Sequence, residues 1–287
     1  MDKILILDCN AMCHMAKFKV GMLSHKGTST GIIYGFLLKL GALMEMSPAD
    51  VLMFVWDSAN NKGARRKLYP EYKASKIVKT EEDKVQDELA YSQFVEIREV
   101  ILPGMGFENI YVADGFEADD LMASAVYGLK DTDCDVMLAS SDGDMHQLLN
   151  HCRILSLTDR TVLTKKVFTE KWGFGPEYWS TIKAIAGCSG DNVEGIKGVG
   201  EITAAKYLRG ELKKSSKKYK DIKANWEIAE RNFELVDLPF DGTPPIVIDF
   251  NNYFNLVDFA EVCEAYGLKS LMKDSTLAKW EGLFGKK

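Results

Sequence analysis

Two short apolar runs, KILILD at 3–8 and VLMFVWD at 51–57, each end on an aspartate, with the helical stretch GIIYGFLLKLGALMEM between them. Apolar runs this short, closed by an acid, read as buried strands. NIYVA, DVMLASSDGD and RILSL give three more strand candidates. DDLMASAVYGL reads as a helix with Leu121, Met122, Ala125, Val126 and Leu129 on one face. In EEDKVQDELAYSQFVEIREVIL the apolar positions Val85, Leu89, Phe94, Ile97 and Ile101 also step at helical intervals. Strands alternating with helices predict an α/β fold, a mostly parallel central sheet with helices on both faces. Beyond about residue 165 the pattern changes to helices, glycine turns and lysines, with DGTPPIVIDFNN as an irregular connection between C-terminal helices.

In open α/β sheets, ligands collect beyond the carboxyl ends of the strands. The acids fall there. Asp8 and Asp57 end strands, Asp142 and Asp144 follow another, and Glu117, Asp119 and Asp120 sit where GFEADD enters a helix. Taken singly, each has an ordinary reading: Asp119 or Asp120 as an N-cap, Asp142 as a turn former. Together on one sheet edge they would repel one another unless cations neutralised them. Oxygen ligands without histidine favour Mg²⁺ or Mn²⁺ over zinc. Two ions about 4 Å apart suit in-line attack of water on a phosphodiester.

Other motifs fail. Gly195 and Gly200 have P-loop spacing, but Glu201 and Ile202 stand where Lys and Ser/Thr are required. DCN at Asp8 lacks the second aspartate of phosphatases that use an aspartyl nucleophile. Six cysteines are scattered without a C-x-x-C pair, and Cys9, Cys13 and His14 lack the second half of a zinc site. Free thiols in a reducing cytoplasm are the expectation. No apolar run approaches the ~20 residues of a membrane span, and MDKILILDC is too short and acid-flanked for a signal peptide.

The net charge of −6 alone argues against a nucleic-acid binder, but its distribution does not. ARRKLYPEYKASKIVK and ELKKSSKKYKDIK are concentrated basic stretches suited to phosphate. GCSGDNVEGIKGVGEITAAKYL places Gly190, Gly195, Gly198 and Gly200 ahead of a helix, a turn that brings backbone N–H groups and a helix N-terminus towards an anion.

At this point the chain resembles the structure-specific 5′ nucleases, the flap endonuclease and 5′→3′ exonuclease family, in the free-standing form common in bacteriophages. The resemblance rests on ILILDCN, VWDSANNKGARRKLYPEYKASK, GFEADD, SSDGD and GCSGDNVEGIKGVGEITAAKYL, in the family's order, from Asp8 to about Leu208. It implies a PIN-like fold with an α/β metal-binding nuclease domain at 1–168, a helical arch at about 74–102, and a helical DNA-binding region at 169–287. A helix–three-turn–helix at about 182–208 would grip the duplex, with K⁺ at the hairpin. Asp8, Asp57, Glu117 and Asp119 would hold the first metal, and Asp120, Asp142, Asp144 and Asp191 would surround the second. Arg65, Lys73 and Lys183 match basic residues near the scissile phosphate. Tyr72 is placed to stack on a terminal base, and Lys76, Gly195, Lys197, Gly198, Gly200 and Lys206 to bind DNA without sequence specificity. Cys188 departs from the family, which has an aspartate ligand there. A thiol is a poor Mg²⁺ ligand, so a weaker second site is expected.

The function implied is divalent-metal-dependent 5′→3′ exonuclease and 5′-flap cleavage of DNA by a cytoplasmic monomer in replication or repair. Any DNA polymerase would be a separate partner, because the sequence stops at LFGKK. Two rival readings stay open: a branched-DNA binding protein that cuts slowly, and a related metal-dependent ribonuclease.

Overall fold

The computed structural model describes residues 1–20, 23–74, 79–251 and 254–285. Its main sheet contains β1 (Lys3–Asp8), β2 (Val51–Val55), β3 (Ile110–Tyr111), β4 (Asp135–Ala139), β5 (Arg153–Leu155) and β6 (Val162–Leu163). The spatial order is β3-β2-β1-β4-β5-β6, with every pairing parallel except the antiparallel last one. The five strand candidates are therefore present, each somewhat shorter than its apolar run except the first. β6 carries too little sequence to signal itself.

Side-chain alternation in β1 divides the core. Ile4 and Ile6 face one way, against α5 (Ala118–Leu129), α7 (Trp179–Ala186) and α10 (Trp226–Val236). Leu5 and Leu7 face the other, against α1 (Cys9–Val20), α2 (Gly31–Met46), α11 (Leu256–Ala265) and α12 (Asp274–Phe284). Successive strand residues point to opposite faces, so one strand builds both cores. The helices in between in sequence are α3 (Gly63–Leu68), α4 (Glu81–Glu96), α6 (Lys165–Trp172), α8 (Glu201–Leu208) and α9 (Lys217–Ala224). Among the described residues, no helix is long and apolar enough to cross a membrane.

α4 lies in the expected arch segment, part of which, 75–78, falls outside the described residues. Thr80 caps it through a reciprocal bond with Asp83. The apolar residues of α4 and the turn that continues it divide: Phe94, Ile97 and Ile101 are buried, whereas Val85, Leu89, Tyr91 and Val95 are exposed. The helical period was legible, but α1 and α2 cover only the C-terminal half of the helix. The stretch 241–250 has no regular structure and runs along the β3 edge. There Asn109 Nδ2 donates to Asp249 O (2.7 Å) and the Tyr111 hydroxyl to Val247 O (2.6 Å).

Candidate active site

The parallel order puts the ends of β1, β2 and β4 on one edge, and the acids gather there. Asp8 Oδ1 accepts the Ala11 N–H at 2.9 Å as α1 begins, and its Oδ2 accepts the Ser140 hydroxyl at 3.0 Å. Asp57 Oδ1 accepts the Ala118 N–H at 2.8 Å, tying the end of β2 to the start of α5, while Asn10 Oδ1 accepts the Asp57 N–H. Asp142 turns the chain after β4, its Oδ1 accepting the Asp144 N–H at 2.8 Å. Ser140 and Asn10 position these acids and were not singled out from sequence. Their signal was proximity, one two residues before Asp142 in SSDGD and one two residues after Asp8 in DCN.

The second half of the site comes from the glycine-rich segment. Gly187–Cys188 pairs antiparallel with Val193–Glu194, and Asp191 sits in the turn between them. Gly195 permits this closure: a Cβ there would lie 2.1 Å from Ala186 O at the end of α7. Gly198 turns with φ +72°, and its carbonyl accepts the Lys218 ammonium from α9 at 2.6 Å. Gly200 precedes α8, and Lys197 and Lys206 are exposed on the same segment.

Lys73 joins the two halves. Its N–H donates to Asp191 O at 2.8 Å, and its ammonium lies 2.5 Å from Glu117 Oε1 and 3.4 Å from Asp191 Oδ1. The residue is held at φ +48°, left-handed backbone that side-chain residues adopt only under surrounding constraint. Lys183 from α7 reaches Asp144 Oδ1 at 3.0 Å and Glu201 at 3.5 Å. Ligand atoms of Asp144, Cys188 and Asp191 lie within 4.8 Å of one another.

Burial pushes the Asp8 carboxyl up to about 6, with repulsion from Asp57 and Asp142 adding to it and bonds from Ala11 and Ser140 opposing. Burial, then Asp142, raises Asp144 to about 6 against the pull of Lys183. Asp119 stands well above its ordinary value through burial and the charges of Asp142 and Asp8. Burial likewise raises Asp57 and Asp191, and pushes the Cys188 thiol up to about 12.

A carboxyl with a raised folded pKa contributes stability that is present below its unfolded value, 3.8, and lost as pH rises through about 6. A divalent cation at the site competes with those protons. The rise in melting temperature produced by saturating Ca²⁺ should therefore be several degrees at pH 7.5 and shrink towards zero at pH 5. An equal rise at both pH values would mean that Ca²⁺ binds elsewhere.

Three expected site residues are placed differently. Asp120 is 0% and Arg65 2% exposed, and they form a bidentate pair at 2.6 and 2.8 Å. Asp120 also accepts the N–H groups of Glu117 and Phe240, while the Arg65 Nε donates to Leu235 O. With its oxygens so engaged, Asp120 is turned into the interior, and Arg65 is held there with it. The pair clamps α3 and α5 to the segment after α10. Tyr72 is 3% exposed with its hydroxyl donating to Glu117 Oε2 at 2.6 Å, so its ring is closed to a base. Lys76 lies outside the described residues.

Asp120→Asn would strand the Arg65 charge in the interior and should cost about 3–5 kcal/mol. Urea unfolding with the metal titration alongside would test this. Unchanged stability with weakened metal affinity would return Asp120 to the metal site.

A parallel α/β sheet with an acid cluster at its carboxyl edge, joined to a glycine hairpin, defines the PIN-like class of 5′ nuclease folds. The model of the 5′-3′ exonuclease N-terminal, resolvase-like domain matches residues 3–173, and the chain belongs to that family. It is 30% identical over 218 residues to DNA polymerase I of Caldicellulosiruptor bescii, covering 72% of this chain and 24% of that protein. It is 26% identical over 231 residues to the 5′-3′ exonuclease of Buchnera aphidicola, covering 80% of this chain and 74% of that one. The chain spans only 24% to 36% of the length of the DNA polymerase I relatives from Thermus thermophilus. In structure it is similar to a bacteriophage T5 flap endonuclease variant complexed with DNA and metal ions. The TM-score is 0.70 and the identity 22%, over 99% of this chain and all of the other. That likeness is one of fold.

Proposed function

We propose that this chain hydrolyses DNA phosphodiesters at or near 5′ ends, as a divalent-metal-dependent 5′→3′ exonuclease and 5′-flap endonuclease. The observation that carries the reading is the meeting of sheet-edge acids with Asp191 of the glycine-rich segment, joined through Lys73. Chemistry and a phosphate-gripping turn thereby share one rigid junction.

The residues suit a hard divalent cation. Their donors are carboxylate oxygens, buried and crowded enough that burial and mutual repulsion hold several above the ordinary carboxylate range. Asp8, Asp57, Glu117 and Asp119 are assigned to one ion, and Asp142, Asp144 and Asp191 to a second, with Mg²⁺ or Mn²⁺ as the cations. Bound there, the ions would polarise the scissile phosphate and activate the attacking water. Lys73 offsets negative charge growing on the phosphoryl oxygens. Lys183 holds Asp144 in place between α7 and the end of β4. Lys197, Lys206 and the N–H groups following Gly200 bind backbone phosphates, positioning the duplex without reading its sequence. A K⁺ ion at the hairpin would meet a carbonyl, Gly198 O, that Lys218 already serves. The relatives, DNA polymerase I proteins among them, support a replication or repair setting. A labelled 5′-flap duplex should be cut in Mg²⁺ and left intact in EDTA. Uncut flap in Mg²⁺ would sink the proposal.

Cys188 favours a second reading, a branched-DNA binder that cuts slowly. The thiol is buried at 6% exposure and packs in the core, yet it stands beside Asp144 and Asp191. If it occupies a ligand position, Cys188→Asp should lower the Mg²⁺ concentration for half-maximal cleavage about tenfold, while the parent gains relatively more from Mn²⁺. Superimposable metal curves with a lower melting temperature would make Cys188 core alone.

A further inference from the structure

The glycine hairpin is held by cations of the chain's own. Glu194 O accepts Asn232 Nδ2 at 2.9 Å and the Arg231 guanidinium at 3.2 Å, both from α10. Ile196 O accepts the Val199 N–H, and Gly200 O accepts those of Thr203 and Ala204 as α8 begins. Gly198 O accepts the Lys218 ammonium of α9 at 2.6 Å.

Packing aims Lys218 at this turn. Ser216 caps α9 by accepting the Tyr219 N–H at 3.3 Å, and Ile222 is fully buried in the core. Tyr219 lies against Tyr207 of α8, with ring centroids 5.4 Å apart. These contacts fix the rotation of α9, and Lys218 reaches the hairpin from it. Glycine is needed on the other side of the contact. Gly198 turns at φ +72°, and a Cβ there would lie 2.6 Å from Lys218 Nζ.

The family resemblance implies K⁺ at this hairpin, and the residues at Gly198 do not fit it. A K⁺ ion on that oxygen would share it with an ammonium of the same charge, and like charges at contact distance repel. The ammonium brings one positive charge to the same oxygen with no free ion required. It has three donors, and Gly198 O takes one, which leaves two for oxygens of a DNA phosphate.

Resting on the nuclease reading above, we propose that Lys218 takes the place of a monovalent cation at the hairpin. It satisfies Gly198 O and presents a tethered positive charge to the backbone of the bound duplex, so DNA binding by this chain is indifferent to K⁺. Lys218 joins Lys197 and Lys206 as a phosphate contact, and differs from them in being fixed to the turn itself.

The test measures affinity of the full-length protein for a 5′-flap duplex in EDTA, where no cleavage intervenes. KCl, NaCl and tetramethylammonium chloride are compared at equal concentration, because salt alone changes such affinities. The parent should bind equally in all three within about twofold. Lys218→Met keeps the stem and removes the charge. It should bind about tenfold more weakly in tetramethylammonium chloride and recover at least threefold in KCl, as K⁺ enters the vacated position. Lys217→Met removes the same formal charge one position away and should stay indifferent to the cation. A second readout needs no DNA: KCl in place of tetramethylammonium chloride should raise the melting temperature of Lys218→Met more than that of the parent. Parental binding several-fold tighter in KCl than in the other salts overturns the proposal, as does a Lys218→Met variant that binds and melts like the parent in every salt. K⁺-specific stabilisation of Lys218→Met alone, in a protein that neither binds nor cuts the flap, sustains the cation replacement and removes the nuclease reading.

Discussion

Asp119→Asn combined with Asp142→Asn should lower the flap-cleavage rate by more than about 10³-fold, with DNA affinity in Ca²⁺-free buffer held within a few-fold. Burial first, and then the charges of Asp142, Asp8 and Glu117, hold the Asp119 carboxyl well above its ordinary value. Neutralising two members of such a group removes cation ligands without touching Lys197, Lys206 or the hairpin. It also relieves repulsion, so the metal-free variant should melt higher than the parent at pH 7.5. Loss of stability together with activity would instead make these acids structural. Cleavage at the parental rate would place the active site elsewhere.

Lys73→Ala should reduce the single-turnover rate at saturating protein by on the order of 10²-fold or more, and affinity much less. The structure adds a distinction the sequence could not supply. The ammonium is engaged by Glu117 and Asp191, so Lys73 also balances the acid cluster. Lys73→Arg retains the charge, and should recover the melting temperature more fully than the rate if position at the phosphate governs catalysis. A variant that binds weakly but cuts at the parental saturated rate would make Lys73 a positioning contact only.

Much of the fold was legible because its signals are local. An apolar run of strand length ending in aspartate announces both a buried parallel strand and the edge where ligands collect; β1 and β2 obey this rule, and in β4 the acid, Asp142, follows after two serines. The same locality revealed α5, whose apolar face is written at helical spacing within one segment. The helical period of α4 was also readable, but not which half would be covered, because Val85 and Phe94 look alike until α1 and α2 are set against only one of them.

Three of the expected site residues, Arg65, Tyr72 and Asp120, are buried, and they share a physical cause. By the family resemblance Arg65 and Asp120 read as groups at a phosphate and a metal, and burying either charge alone would be prohibitive. Their pairing spans 55 positions and is closed by carbonyl and N–H groups from residues 235 and 240, a partnership no local pattern contains. Tyr72 looked available to a base for the same reason, and Glu117 claims its hydroxyl.

By itself the sequence determined the alternating strands and helices, the acids at the strand ends, the glycine turn and the order of blocks that marks the family. These depend on residue type at short spacing, which survives without coordinates. Only the tertiary structure decided which charges neutralise one another in the interior and which stay crowded at the sheet edge. It also placed Cys188 in the core and beside Asp144 and Asp191 at once. Burial and long-range pairing set the energy of a charge, and both are properties of the packed chain.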